Sequence, residues 1–211
     1  MDNEKMLPEW KYRLQGFRGL NMPPKPKKPA LLVIDMQRYF CDPAAPAYGL
    51  DFEAVLEQCS TLAKAFGKYR LPIFATRYYS KDDKDPTAKW WNSTLAKDSE
   101  WVELDPRLEL PGGTVTLDKH LYGTFSSTDL DARLKKLGCD SVVVCGVMTD
   151  LCCETTAREA FQLGYTVYFI GDATATSDPV LHFSALATLA HGFAYLLTTD
   201  EIITLTEGND V

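Results

Sequence analysis

The stretch "DSVVVCGVMTDLCCETTAREAF", residues 140–161, changes its periodicity half-way along. Its first part, from Val142 to Val147, is an unbroken apolar run with no polar alternation. A strand buried on both faces of a parallel sheet has that pattern. From Asp150 onward apolar residues return at spacings of three and four, which is the period of a helix with one covered face. Glu154 and Arg158 stand four apart with the acid first, the order that supports a helix, and Asp150 is of the type that caps one. A buried strand that runs straight into a helix is the repeating unit of an α/β protein.

Working outward, the same signature recurs on both sides. "ALLVID" (30–35), "LPIFATR" (71–77), "GTVTLDK" (113–119), "YTVYFIGDA" (165–173) and "FAYLLTT" (193–199) join 140–147 as six candidate strands. Helical patterns fall at 51–69, 126–138, 150–163 and 179–191. Alternating strands and helices predict a three-layer α/β/α, Rossmann-like fold: a six-stranded, mostly parallel sheet with right-handed crossovers and helices on both faces. Residues 30–211 are read as one domain. Before it, Pro23, Pro24, Pro26 and Pro29 alternate with Lys25, Lys27 and Lys28, an extended linker that sets residues 1–29 apart as an N-terminal arm. Trp10, Tyr12, Leu14 and Phe17 are too apolar for a free tail, so the arm is expected to pack on the body or on a neighbouring subunit.

The charge balance narrows the function. With 22 Lys plus Arg against 29 Asp plus Glu, a net charge of −7 repels nucleic acid and anionic membranes. The first residues lack the basic-then-apolar pattern of a signal peptide, and no window approaches the roughly 18 apolar residues of a membrane span. A cytoplasmic protein is expected, with neither a nucleic-acid nor a membrane partner. Six cysteines at 41, 59, 139, 145, 152 and 153 are too few and too irregular for a disulfide scaffold. The three histidines, His120, His182 and His191, are scattered, so no metal site and no cofactor is expected.

In an open α/β sheet the ligand crevice lies at the carboxyl ends of the strands. Asp35, Arg77, Lys119 and the segment Gly146–Cys153 occupy such ends. Cys152 sits near a helix start, where unpaired N–H groups and the positive dipole end favour a thiolate and lower the expected pKa. A thiol nucleophile also needs a base and a positive neighbour, places that Asp35 and Lys119 could fill. Cys152 and Cys153 point about 100° apart on a helix, and spacing alone does not choose between them. The histidines have no such position: His182 and His191 fall inside a helical pattern, and His120 follows Lys119 on the opposite side of the chain. The segment 78–112, the longest without clear periodicity, is expected to have a functional task.

"ALLVIDMQRYF", "VTLDKHLYGTF" and "VVVCGVMTDLCCETTAREAFQLGYTVYFIGDATAT" together resemble the isochorismatase-like cysteine hydrolase superfamily over about residues 30–200. The resemblance implies Asp35 as base, Lys119 as the stabilising cation and Cys152 as nucleophile. It further implies a cis peptide at Val147–Met148, with the N–H groups of Met148 and Cys152 forming an oxyanion hole. Phe40 and Phe125 match aromatic positions beside the acid and lysine motifs. Arg77, Trp90 and Trp91 lie in or beside a segment that closes the pocket in this family, and all five are candidates for substrate binding. The expected activity is metal-independent hydrolysis of an amide or ureido bond in a small molecule, by a homo-oligomer (dimer or tetramer). Metal-dependent nicotinamidases carry a D-x-H-x-x-H cluster after the second strand, and "ATRYYSKDDKDPTAKWW" contains no histidine, which sets nicotinamidase activity aside. True isochorismatases, which hydrolyse a vinyl ether, resemble this chain in the scaffold around the active centre, in "DKHLYGTFSSTDLDARLKKLGCDSVVVCGV" and "CCETTAREAF", but usually carry glycine and a preceding histidine where Cys152 and Asp150 stand. That chemistry, with Asp35 as acid, is the alternative. A non-catalytic ligand-binding or scaffold member is the other.

Overall fold

A computed structural model describes residues 8–49 and 51–207. Six strands are present: β1 (Pro29–Ile34), β2 (Ile73–Tyr78), β3 (Val115–Lys119), β4 (Ser141–Val147), β5 (Thr166–Ala175) and β6 (Tyr195–Leu197). The helices are α1 (Glu9–Arg13), α2 (Arg38–Cys41), α3 (Phe52–Lys68), α4 (Pro86–Trp91), α5 (Leu130–Leu137), α6 (Glu154–Gln162), α7 (Pro179–Gly192) and α8 (Thr199–Thr206). The strands form one sheet in the order β3-β2-β1-β4-β5-β6, and every neighbouring pair is parallel. The sheet is therefore wholly parallel. Helix α8 was not read from the sequence, although Thr198 and Glu201 form a capping box that announces it.

Alternate side chains of the central strands feed two cores. Leu31, Val33, Val143 and Cys145 meet α3 and Ile202 of α8 on one face. Ala30, Leu32, Ile34, Val142 and Val144 meet α5, α6 and α7 on the other. Both faces are covered, which is why β1 and β4 are buried at every position. The arm packs on this body. Leu14 is buried in the second core, Trp10 lies against Gly171, Arg13 stacks on Phe183, and the hydroxyl of Tyr168 donates to the carbonyl of Pro24. Residues 1–7 and 208–211, the outer ends of the arm and of the domain, lie outside the described residues. Among the described residues no helix is long and apolar enough to cross a membrane.

The chain leaves β1 toward β2 on one side and reaches β4 on the other. The crevice between the carboxyl ends of β1 and β4 is thus the topological switch point, where such sheets bind their ligands. Gly146 allows the two strands to meet there. Its φ is +112°, and a Cβ would stand 2.1 Å from the carbonyl oxygen of Ile34. Both features demand glycine. Replacing Gly146 by Ala is expected to lower the unfolding free energy by about 3 kcal/mol or more, read as a shift of the urea midpoint. A loss below about 1 kcal/mol would show that β1 and β4 can part freely here.

Candidate active site

Three elements converge at the switch point. Asp35 follows β1 directly and has a left-handed backbone, φ +49°. Thr76 of β2 holds it twice: its hydroxyl donates to Asp35 Oδ1 at 2.6 Å and accepts from the Asp35 N–H at 3.0 Å. Lys119 ends β3 and is wholly buried, as is Asp35. Its Nζ lies 2.7 Å from Asp35 Oδ2, 3.3 Å from Cys152 Sγ and 3.0 Å from the carbonyl oxygen of Leu121. The contacts to Cys152 and Leu121 are hydrogen bonds, whereas that to Asp35 is an ion pair in which Oδ2 has no aligned hydrogen-bond donor among the described residues. The structure thus brings Asp35, Lys119 and Cys152 into one cluster, and it selects between the twin cysteines. Cys152 opens on a cavity; Cys153 is fully buried in the second core.

The turn that carries Cys152 differs from the expected helix start. The cis peptide bond expected at Val147–Met148 is present, but residues Thr149–Cys153 form a π turn before α6 begins at Glu154. The carbonyl of Met148 accepts from the N–H groups of Leu151 and Cys153, passing over that of Cys152. Asp150 does not cap the helix: it lies inside the π turn, and its buried Oδ1 has no hydrogen-bond partner among the described residues. The Glu154–Arg158 pair is formed, at 2.6 Å.

The thiol pKa is also not the lowered one expected from the helix N-terminus. Burial pushes Cys152 up from 9.0 to about 12, with Lys119 acting against the rise and Asp35 adding to it. Removal of the sulfur from water outweighs the dipole of α6, which starts two residues further on. For Lys119 burial opposes the charge, but Asp35 and Cys152 more than offset it and its pKa is raised. The resting cluster is therefore a neutral thiol beside a carboxylate–ammonium pair.

Cys152 lies in the wall of a cavity of about 500 Å³. Phe40 and Trp91 line it, as does Met148. Three other candidates lie elsewhere. Arg77 donates to Asp118 and Glu103, because the parallel register of β2 with β3 sets Arg77 beside Asp118. Trp90 is 78% exposed and does not line the cavity that its neighbour Trp91 lines. Phe125 packs on Tyr165 at 5.8 Å in the second core, on a loop whose N–H groups Glu159 of α6 holds. Tyr78, which lies in the same pocket-closing segment as Trp91, lines the cavity as well, and so do Tyr39, Tyr48, Tyr122, Leu151 and Ser177, which nothing in their sequence marks as pocket residues.

The long segment 78–112 is anchored to the chain just after Asp35. Buried Gln37 donates to the carbonyls of Tyr78 and Val102, both at 2.9 Å, and accepts from the Tyr78 N–H at 2.7 Å. Further along the segment, Trp91 Nε1 donates to the hydroxyl of Tyr122 at 2.7 Å. That bond ties the segment to the loop that follows Lys119. Among the described residues, no group of three His, Cys, Asp or Glu side chains is placed to hold a metal.

A wholly parallel, doubly wound sheet that gathers an acid, an ammonium and a thiol at its carboxyl edge, from β1, β3 and the turn after β4, is a frame suited to a hydrolase that works through side chains. The isochorismatase domain model matches residues 29–201, and the chain belongs to the isochorismatase-like hydrolase family. Nicotinamidase 3 of Arabidopsis thaliana is 38% identical over 185 residues, which cover 85% of this chain and 89% of that one. A cysteine hydrolase from Pseudomonas syringae pv. phaseolicola 1448A superimposes with a TM-score of 0.83 at 28% identity, over 90% of this chain and 97% of that one. N-carbamoylsarcosine amidase from Thermoplasma acidophilum does so with a TM-score of 0.73 at 26% identity, over 82% and 97%.

Two outcomes follow from the buried cluster. Lys119→Met leaves the Asp35 carboxylate without its cation and is expected to cost about 3–5 kcal/mol of stability, whereas the double variant Asp35→Asn/Lys119→Met loses less than the sum of the single losses. Urea unfolding of the four proteins measures this; additive losses would mean the two groups do not act as a pair. The second outcome concerns pH. Cys152 and Lys119 both have raised pKa values in the fold, so the stability linked to them is complete below their ordinary values of 9.0 and 10.5. It is lost as pH rises through the folded values. Stability is expected to fall above about pH 9, with a shallower fall in Cys152→Ala. Equal slopes would contradict the buried neutral thiol.

Proposed function

We propose that the protein is a metal-independent cysteine hydrolase that cleaves the C–N bond of a small, uncharged carboxamide or ureido compound. The observation that carries this reading is Lys119 Nζ held between Asp35 Oδ2 and Cys152 Sγ, with the sulfur facing an aromatic cavity. Asp35 accepts the thiol proton as Sγ attacks the carbonyl carbon. Charge developing on the carbonyl oxygen is received by the N–H groups of Met148 and Cys152. The C–N bond then breaks, and the leaving nitrogen takes the proton from Asp35. Water, deprotonated by Asp35, hydrolyses the thioester and releases the acid and the free thiol. Lys119 stays protonated throughout, and its charge faces the Asp35 carboxyl that acts as the base.

The cavity supports an uncharged substrate. Among the described residues that line it there is no Arg or Lys, and Lys119 is wholly buried among Asp35, Leu121 and Cys152. A dicarboxylate such as isochorismate would surrender its hydration there without a cation in return. The same argument weighs against a carboxylate-bearing ureido substrate. Absence of the histidine cluster had set nicotinamidase activity aside, but the Arabidopsis relative makes nicotinamide, an uncharged aromatic carboxamide, a substrate to test. Trp90, exposed outside the cavity, is the residue best suited to a subunit contact in the proposed homo-oligomer.

A screen of nicotinamide, benzamide, simple ureas, N-carbamoyl amino acids and isochorismate tests the reading. Turnover of an uncharged amide or urea is expected, with Cys152→Ala reducing it about a thousandfold or more. An acyl adduct on Cys152 in intact-protein mass spectra of the quenched reaction is expected as well. Hydrolysis of isochorismate that survives Cys152→Ala would instead establish the vinyl ether chemistry, and no turnover of any member would favour a binding or scaffold role.

A further inference from the structure

Behind the turn that bears Cys152, the hydroxyl of Thr149 lies 2.9 Å from Nδ1 of His182. Thr149 is fully buried, immediately follows the Val147–Met148 peptide, and stands three residues before the thiol. His182 comes from a different element, the first turns of α7. That helix starts firmly: Asp178 accepts from the Val180 N–H at 2.7 Å, and Pro179 fills the first helical position. Ser177, just before it, lines the cavity. The imidazole therefore reaches the Cys152 turn from a rigid support that itself borders the site.

We propose that His182 is a positioning residue: through Thr149 it fixes the turn that presents Cys152 and the N–H groups of Met148 and Cys152. This rests on the reading of Cys152 as the reacting thiol. The charges acting on the ring are those of Asp150 in the π turn and Asp51 at the start of α3. Of the other charged groups around α7, Glu154 of α6 is engaged with Arg158 and Thr188, and Arg13 of α1 lies over Phe183. A neutral ring leaves Asp150 Oδ1 buried without a hydrogen-bond partner. A protonated ring supplies a cation close to that carboxylate, and an ion pair formed between them displaces residue 150, two positions from the sulfur. The position of the thiol thus depends on the protonation state of His182. Burial lowers the His182 pKa, while Asp150 and Asp51 act to raise it, so the neutral ring is the form present at pH 7.

Alkylation by iodoacetamide, mapped to Cys152 by peptide mass, reads the thiol's setting without any substrate. Between about pH 5 and 8 the wild-type rate is expected to show an inflection of at least about threefold beyond the smooth thiol titration, centred where NMR titration places His182. His182→Ala should remove the inflection, and Thr149→Val should do the same, with the double variant no different from either. His182→Asn, which can keep a hydrogen bond to Thr149 but cannot titrate, should hold the high-pH wild-type behaviour across the range. An inflection that persists in His182→Ala or His182→Asn, or a Thr149→Val profile identical to wild type, overturns the proposal. If the Ala variant fails to fold, the Asn variant alone decides it. A substrate screen without turnover would defeat the hydrolase reading and leave this result standing, because alkylation needs no turnover.

Discussion

The ammonium of Lys119 is wholly buried at the centre of the sheet's carboxyl edge, and a charge so placed persists only if every donor is matched. Its three partners come from three parts of the chain: Asp35 after β1, Leu121 in the loop after β3, and Cys152 beyond β4. Satisfying one side chain therefore fixes the relative placement of three strand ends. The neighbouring contacts serve the same end. Thr76 holds Asp35 from β2, and Gly146 brings β4 against the carbonyl of Ile34, one residue before the acid. The sheet order gives the coarse proximity, and the ion pair sets the ångström-scale geometry.

That division explains what could be read from the sequence. The strands were legible because a parallel sheet covered on both faces demands unbroken apolar runs, as in residues 30–34 and 141–147. Asp35 and Cys152 were legible because each follows such a run, and Lys119 because it ends the shorter, polar-interrupted strand 115–119. Arg77 looked equivalent by that criterion, yet the register of β2 with β3 pairs it with Asp118, and register between distant strands leaves no local mark. Phe125 failed for a related reason. Its loop is drawn to the α6 side by Glu159, thirty-four residues away.

The cavity wall was the least legible part. Tyr39, Tyr78 and Tyr122 belong to different segments and become neighbours only when Gln37 and the Trp91–Tyr122 bond fasten the 78–112 segment over the strand ends. Hydroxylated aromatics carry no periodic pattern that marks them as lining. The thiol pKa escaped for a physical reason as well: a helix dipole can be read from spacing, but desolvation depends on everything packed around the sulfur, and here it is the larger effect.

A neutral resting thiol fits a site of this kind better than a preformed thiolate. Lys119 already serves Asp35, and a second anion beside it would leave two negative charges sharing one buried cation. Keeping the proton on sulfur until a carbonyl arrives avoids that state. In the proposed mechanism the negative charge would then pass from Asp35 to the substrate oxygen as the proton moves to the carboxylate, so that the cluster would retain one cation and one anion at every stage. Constant charge in a dry cavity limits the reorganisation that the reaction requires. It also makes the chemistry sensitive to where the sulfur points, because the carboxylate must receive the proton during the attack. The rigidity of the turn between β4 and α6 is consequently as important to the site as the identity of the three reactive groups.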